Sequence, residues 1–372
     1  MQVTSVVANT VIVPMGATLI YPNHAMQNRE FTLVKIRGSN GAEGFGFCCS
    51  GTRVGHLSTI AVRDLLRTHV VGKDPQQIEE IWNAMFRDSV LHGRRGSVMR
   101  AISAIDIALW DLRAKDANVS LCYLLGTNRK DRVPAYASGG VYMEGKTADD
   151  LAKEVAGYAE MGYRAVKIKV GGLSLKEDVV RVKACREAIG SEVQLLLDAN
   201  NAWSDAHTAI RAVRQFEPYD PGWMEEPVMP DEMEASAAVA AAVSVPVATG
   251  ELEATRWGFQ QLIHYNAASI LQPDAAVCGG ITEWRKIAAL AAAHSIPIAP
   301  HWFPEIHMHL VAATSNAIWV ECVPDTRVSS FALILKSPVE VQNGDAVLPT
   351  GPGMGIELDE KAVTRYSVDG WH

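Results

Sequence analysis

The sequence predicts an α/β protein: a (β/α)8 barrel of modified TIM type with an N-terminal α+β capping domain that the C-terminal segment completes. Three observations lead there. Eight short apolar runs between Val133 and Glu321 alternate with helix-like stretches, in repeats of roughly twenty to thirty residues, the period of such a barrel. Nearly all of these runs end in an acidic, basic or imidazole side chain, and barrels carry their reactive groups at the C-terminal strand ends. The chain of 372 residues is too long for one ordinary domain and accommodates a barrel of about 250 residues plus an appended unit.

Residues 1–125 form the predicted cap. Runs near Val3–Val13, Phe31–Ile36 and Gly44–Cys48 have strand character, and Ser39-Asn40-Gly41 supplies a hairpin turn between the last two. Helical patterns follow around Leu57–Thr68, Pro75–Asp88 and Val98–Lys115; in the third, Ala101, Ile105, Ala108, Leu109 and Leu112 recur at helical spacing. The barrel spans 126–337. Its first strand, PAYASGG from Pro134, is undecorated; then come AVKIK (Lys167, Lys169), LLLD (Asp198), WMEE (Glu225), VATGE (Glu251), ILQPD (Asp274), IPIAPH (His301) and IWVE (Glu321). Helices over Ala148–Met161, Leu175–Ile189, Ser204–Phe216, Glu232–Val243, Arg256–Tyr265, Gly280–His294 and Ile306–Ala313 separate them. Residues 338–372, with Pro349, Gly351-Pro352-Gly353 and Gly355, read as an extended return to the cap.

Composition narrows the function classes. With 48% hydrophobic residues the chain can build a large core. A formal charge of −8 without a basic tract speaks against nucleic-acid binding, though an anionic substrate stays possible where a metal and two lysines reverse the field of one cleft. Six cysteines show neither a CxxC pair nor disulfide-like spacing, which reads as reduced thiols and a cytoplasmic location. Asn9, Pro14 and Asn23 interrupt the apolar N-terminus and no basic region precedes it, so neither a signal peptide nor a membrane span is expected.

Asp198, Glu225 and Glu251 end three consecutive strands. Carboxylates on adjacent strands of one rim converge, and all-oxygen ligation suits a hard divalent ion, Mg²⁺ first. Glu226 is the spare of the EEP triplet, assigned a supporting contact or a salt bridge, and sequence alone permits its exchange with Glu225. The i, i+2 spacing of Lys167 and Lys169 points both to one face of the strand, taken as the barrel interior; mutual repulsion should lower the pKa of one and make it a usable base. An exposed strand with lysines facing water has the same periodicity. Asp274 beside His301 would fix the imidazole tautomer, making the pair a candidate acid/base unit. Glu321 closes the ring, placed to hydrogen-bond a developing enolate oxygen. His307 and His309 fall on the following helix, where i, i+2 residues share no face, and are assigned structural roles.

Taken together, KIK at Lys167–Lys169, DANNAW from Asp198, EEP from Glu225, GE at Gly250–Glu251, QPD ending at Asp274, PHWF from Pro300 and WVE ending at Glu321 resemble the enolase superfamily, specifically its mandelate racemase subgroup. The likeness in order and spacing covers the whole chain. It implies a Mg²⁺ ion that binds a substrate carboxylate and stabilises an enediolate after removal of the α-proton. It further implies Asp198, Glu225 and Glu251 as ligands, with Lys169 the acid or base on one face and His301, backed by Asp274, on the other. Lys167 would neutralise the carboxylate, Glu321 would bond to it, and Asn200 would help to hold the substrate. Homo-oligomers are usual among similar proteins. A lysine on strand six, as in muconate cycloisomerases and dipeptide epimerases, is replaced here by Gln272-Pro273-Asp274.

Two opposed acid/bases permit either racemisation or loss of a β-hydroxyl. The capping loop decides, because it meets the distal part of the substrate. Thr18, Tyr21, Pro22, Asn23, His24 and Gln27 make it rich in hydrogen-bonding groups, which suits a polyhydroxy acid better than an aryl one, with Tyr21 and His24 the named contacts. Trp302 and Phe303 weigh toward an aryl substrate. The expectation is therefore an acid-sugar dehydratase, with a racemase or epimerase as the alternative. A catalytically retired barrel serving as a scaffold is the third reading, and the full set of candidate ligands and acid/bases stands against it.

Overall fold

The computed structural model describes residues 1–22, 24–127 and 131–372. The cap opens with an antiparallel sheet of β1 (Val3–Ile20), β2 (Ala25–Gly38) and β3 (Glu43–Gly51). β1 runs past Pro14, beyond the predicted end at Val13. A register shift between Pro14 and Leu19 accommodates the residue that lacks an N–H, and the ladder resumes at Leu19 opposite Met26. Thr18 and Gln27 therefore lie on strands rather than in a loop, and the connection shrinks to 21–24, in which Asn23 lies outside the described residues. The turn at Ser39-Asn40-Gly41 forms as expected, with Gly41 at φ +86°.

Helices α1 (His56–Ile60), α2 (Ile78–Ser89) and α3 (Ser97–Asp116) match the three predicted patterns, and α4 (Leu121–Leu124) leads to the barrel. α3 buries Ala101, Ala104, Ile105, Ala108 and Leu112. It lies so close to β3 that a Cβ on Gly46 would sit 2.0 Å from the Ala104 carbonyl oxygen.

The barrel strands are β4 (Arg132–Ser138), β5 (Ala165–Lys169), β6 (Gln194–Asp198), β7 (Pro221–Glu225), β8 (Val247–Thr249), β9 (Ile270–Leu271) and β10 (Val320–Cys322), all parallel, with β10 closing the ring on β4. Helices α5 (Ala148–Glu160), α6 (Leu175–Ile189), α7 (Ala206–Phe216), α8 (Met233–Ala242), α9 (Thr255–His264), α10 (Gly280–Ala293) and α11 (Pro304–Ala312) surround it. The predicted seventh strand is reduced to Ile298, which bridges Leu271 and Ala317. Pro297 and Pro300 flank it and cannot donate to a ladder. Glu251, Asp274 and His301 consequently sit a few residues past regular strand rather than at its last position. Tyr136, Ala165, Leu196, Trp223, Ala248, Ile270 and Ala299 fill the barrel interior beneath the site.

β10 is followed by a return path instead of an outer helix. It runs through β11 (Val341–Gln342) and β12 (Asp345–Val347), the latter antiparallel to β4, to α12 (Glu360–Tyr366). The end of the chain joins the cap sheet, where Ala8 and His372 exchange two backbone hydrogen bonds at 3.0 Å.

Two buried contacts fix the cap to the barrel. The turn after Asp274 is held from α2 and α3: Trp82 Nε1 donates to the Gly279 carbonyl (2.7 Å), Gly279 N to Ser103 Oγ (2.9 Å), Thr282 N to Asp106 Oδ2 (2.9 Å) and Trp110 Nε1 to Thr282 Oγ1 (2.9 Å). Gly280 makes this approach possible, since it has φ +86° and a Cβ there would lie 2.3 Å from Asp106 Oδ2. The second contact is aromatic. Phe31 and Phe47 of the cap sheet pack against Phe303 and Phe331, with Phe47 and Phe331 centroids 4.5 Å apart. No helix among the described residues is long and apolar enough to cross a membrane.

Candidate active site

β5 is buried along its whole length, so both lysines face the interior and the water-facing alternative is excluded. Register then builds a row of charges: Lys169 is opposite Asp198, and Asp198 opposite Glu225. Lys169 Nζ contacts Asp198 Oδ2, while Lys167 Nζ lies 2.6 Å from Glu225 Oε1, 3.0 Å from Glu321 Oε1 and 3.5 Å from Asp198 Oδ2. These neighbours overturn the expected lowering of a lysine pKa. Burial pulls both ammonium groups down, but Glu225 and Glu321 around Lys167, and Asp198 beside Lys169, hold them above the ordinary lysine value. Carboxylates lie nearer to each lysine than the two lysines' repulsion can offset.

Asp198, Glu225 and Glu251 are buried and each offers an oxygen within 4.8 Å of the others. Glu225 also accepts from Gln272 Nε2 at 2.8 Å and Trp223 Nε1 at 3.2 Å. Burial and then Asp198 push its carboxyl up to about 8. Glu251 Oε2 is buried without a hydrogen-bond donor. Converging carboxylate oxygens, one of them without a hydrogen-bond donor, are a donor set that a hard divalent cation fits. Glu226 is brought into the same cleft by a left-handed backbone (φ +42°). Its Oε2 accepts from Asn201 Nδ2 at 2.9 Å, a supporting contact rather than a salt bridge.

Across the mouth, His301 Nδ1 lies 3.0 Å from Asp274 Oδ2, and its Nε2 faces the cleft 3.4 Å from Glu251 Oε2. Burial lowers the imidazole pKa, but Glu251 and the Asp274 hydrogen bond outweigh it and hold it at about 9. The two residues after His301 are both left-handed, Trp302 at φ +49° and Phe303 at φ +35°. Such backbone costs of order 1–3 kcal/mol per residue and persists where packing over-determines it; here the cap aromatics hold it. Glu321 accepts from Trp302 N at 2.6 Å. Burial opposes its charge, yet Lys167 and His301 keep it well below the usual carboxylate range. His307 and His309 are structural, as assigned: His307 accepts from Ala275 N (3.0 Å) and His309 from Cys122 N (3.3 Å).

Lys169, Glu226, Glu251, Asp274, His301 and Glu321 line one cleft of about 460 Å³, roofed by the cap, while Lys167, Asp198 and Glu225 are buried behind that lining. Asn200, Tyr21 and His24 line it too; Thr18, Pro22 and Gln27 do not. Asn200 N donates to Asp198 Oδ1 at 2.8 Å, and the Tyr21 and His24 rings stack with centroids 4.9 Å apart. Phe303 is spent on the cap core, whereas Trp302 reaches the cleft.

Two family models match the chain. Residues 4–126 fit the mandelate racemase / muconate lactonizing enzyme N-terminal domain, and residues 150–362 the enolase C-terminal domain-like model. The chain belongs to the mandelate racemase / muconate lactonizing enzyme family. Among its relatives is an L-talarate/galactarate dehydratase of Salmonella typhimurium, 37% identical over 330 residues that cover 89% of this chain and 81% of the relative. A magnesium-bound racemase from Streptomyces coelicolor superposes with a TM-score of 0.92 at 32% identity, covering 98% of this chain and all (100%) of that one. An L-talarate dehydratase from Polaromonas, complexed with Mg and L-glucarate, gives 0.89 at 32% identity, covering 100% and 98%.

Within this family member, sequence reasoning missed four contributors to the site, three lining the cleft and Gln272 buried behind it. Ser138 hydrogen-bonds Glu321, Gln272 holds Glu225, and Arg29 and Arg100 reach in from the cap. Gln272 had a signal, two residues before Asp274 in the same run. The arginines had none, since both lie in the cap, ahead of every barrel strand.

Proposed function

We propose that this protein is a Mg²⁺-dependent acid-sugar dehydratase, which converts a polyhydroxy acid to a 2-keto-3-deoxy acid. The observation that carries the reading is the cluster of Asp198, Glu225 and Glu251 oxygens at a cleft that Glu251, Lys169 and the Asp274–His301 pair line. The dehydratase relatives and the sugar-acid complex support it. Asp198, Glu225 and Glu251 would hold the ion, whose chemistry is Lewis-acid stabilisation of charge building on the substrate carboxylate. Lys167 places a second positive charge beside that carboxylate, and Glu321 and Asn200 orient it. Asp198 holds Lys169 as an ammonium in this structure; with that carboxylate engaged by the ion, Lys169 would lose its proton and, as the neutral amine, take the α-proton, breaking the C–H bond. His301, its tautomer set by Asp274, gives a proton to the β-hydroxyl, which leaves as water; the enol then becomes the keto acid. Burial of these groups matters because an α-proton beside a carboxylate is very weakly acidic, so fixed charges must supply most of the rate.

Incubating the Mg²⁺-loaded protein with aldonic and aldaric acids and assaying 2-keto acid tests this directly. Racemisation is the second reading, favoured by the opposed Lys169 and His301 and by the racemase neighbour. α-Hydrogen exchange in D₂O on a hydroxy acid without any keto acid would decide for it. The same reading makes the protein a cytoplasmic homo-oligomer, in keeping with six free cysteines; light scattering checks the assembly.

A further inference from the structure

We propose that Arg29 and Arg100 form a cationic subsite at the cap end of the cleft that selects an aldarate, a sugar acid with a carboxylate at each end, over the corresponding aldonate. This rests on the sugar-acid reading above and names the substrate class within it.

Both arginines are partly buried, line the cleft and come from the cap, opposite the barrel floor where Lys167 lies. Arg29 is held in place without being neutralised. Its Nη2 donates to the Tyr21 hydroxyl and its Nε to Met26 Sδ, each at 3.3 Å, and its guanidinium lies 4.2 Å from the Trp302 ring centroid. Arg100 Nη1 donates to the Cys49 carbonyl at 2.7 Å. Among the described residues neither arginine has an acidic partner. Arg95, whose partner Asp231 lines the cleft, differs: Asp231 at 2.9 Å and Glu253 at 3.2 Å neutralise it.

A guanidinium presents five N–H donors in one plane, and stacking on Trp302 fixes that plane for Arg29. The donors left over suit a carboxylate, which accepts two parallel hydrogen bonds. A terminal CH₂OH offers one weak acceptor and no charge. Positive potential at this end also shows in His24, which burial, and then Arg29, hold below its ordinary pKa. With the reacting carboxylate at the barrel end, the far end of an extended substrate meets the cap. In a chain of net charge −8, two arginines that line one cleft without acidic partners are best explained by an anion that arrives with the substrate.

The test compares kcat/KM for matched aldarate–aldonate pairs across the hexose series with the Mg²⁺-loaded protein. The wild type should favour the aldarate by on the order of 100-fold, the worth of a lost charge-assisted bidentate contact. Arg29→Gln and Arg100→Gln should each reduce that ratio about tenfold or more, and Arg29→Lys, which keeps charge without the fork, should fall between. Melting temperatures near the wild type's establish that the variants fold. Keto acid formed equally well from both partners of a pair overturns the subsite and leaves dehydration standing. A preference for a 6-phosphoaldonate over the aldarate overturns the carboxylate assignment. If no acid yields keto acid, the dehydratase reading fails; thermal shifts with the same pairs then judge the subsite, and equal shifts overturn it.

Discussion

Replacing Asp274 by asparagine tests the acid/base unit with a single atom pair. Asp274 Oδ2 lies 3.0 Å from His301 Nδ1, while Oδ1 accepts from the Ala276 amide at 2.7 Å. Asparagine has one acceptor oxygen for those two donors. The Ala276 N–H is buried, and stranding it would cost about 1–3 kcal/mol, so the amide oxygen stays there and the NH₂ turns to His301. Nδ1 must then accept, which moves the ring proton to Nε2, the nitrogen facing the cleft, and removes the anion that steadies the imidazolium. In a serine-protease triad the equivalent exchange lowers kcat about 10⁴-fold. Here Glu251, 3.4 Å from Nε2, still favours the cation, so the expected loss is about 10²–10³-fold, or about 3–4 kcal/mol in the barrier. Steady-state keto-acid formation at saturating Mg²⁺ reads it, paired with α-hydrogen exchange in D₂O. KM should change little, and exchange at the Lys169 face should survive. A kcat within about threefold of the wild type would refute the argument, because no arrangement of the amide serves both donors.

Lys167→Met leaves Glu225 and Glu321 facing each other without their shared cation, so urea unfolding in EDTA should show a loss of about 3–5 kcal/mol, partly restored by Mg²⁺. Full stability of this variant in EDTA would contradict the charge row. Gly46→Ala drives a methyl into the Ala104 carbonyl at 2.0 Å, and chemical denaturation should register about 1–3 kcal/mol of destabilisation. Acid stability should depend on His309, whose burial lowers its pKa to about 4. Between about pH 6.5 and 4 the unfolded chain binds the proton first, so this contribution is complete above 6.5 and is lost as pH falls, by up to about 3 kcal/mol. His309→Gln, which can still accept from Cys122 and donate to Met354, should flatten that limb; identical urea midpoints against pH for both proteins would show that another group controls it.

The barrel was legible because its strands announce themselves twice, by apolar runs and by the titratable residue that ends all but the first. The rim residues were legible for the same reason. The seventh strand misled: IPIAPH is as apolar as its neighbours, but pairing depends on N–H groups that Pro297 and Pro300 lack. Lysine protonation was illegible, since spacing shows that Lys167 and Lys169 share a face but not that Glu225, Glu321 and Asp198 lie closer to them than mutual repulsion can offset. The cap's contribution was only half visible. Tyr21 and His24 were found because they cluster in a turn, while Arg29 sits inside a strand and Arg100 on a helix. That both line one cleft is a product of tertiary packing and leaves no local trace.

The clamp on the turn after Asp274 divides the site by ownership. Asp198 and Glu225 end β6 and β7 and are positioned by strand pairing inside the barrel, and Glu251 follows the end of β8. The turn that follows Asp274 is shared property, held at Gly279 and Thr282 by side chains of α2 and α3. Substitutions at Trp82, Ser103 or Asp106 are therefore expected to reach the Asp274–His301 pair through this turn and to leave the pairing of β6 with β7 in place. The two halves of the site thus answer to different parts of the fold, Asp198 and Glu225 to the barrel sheet and the Asp274 turn to the cap helices.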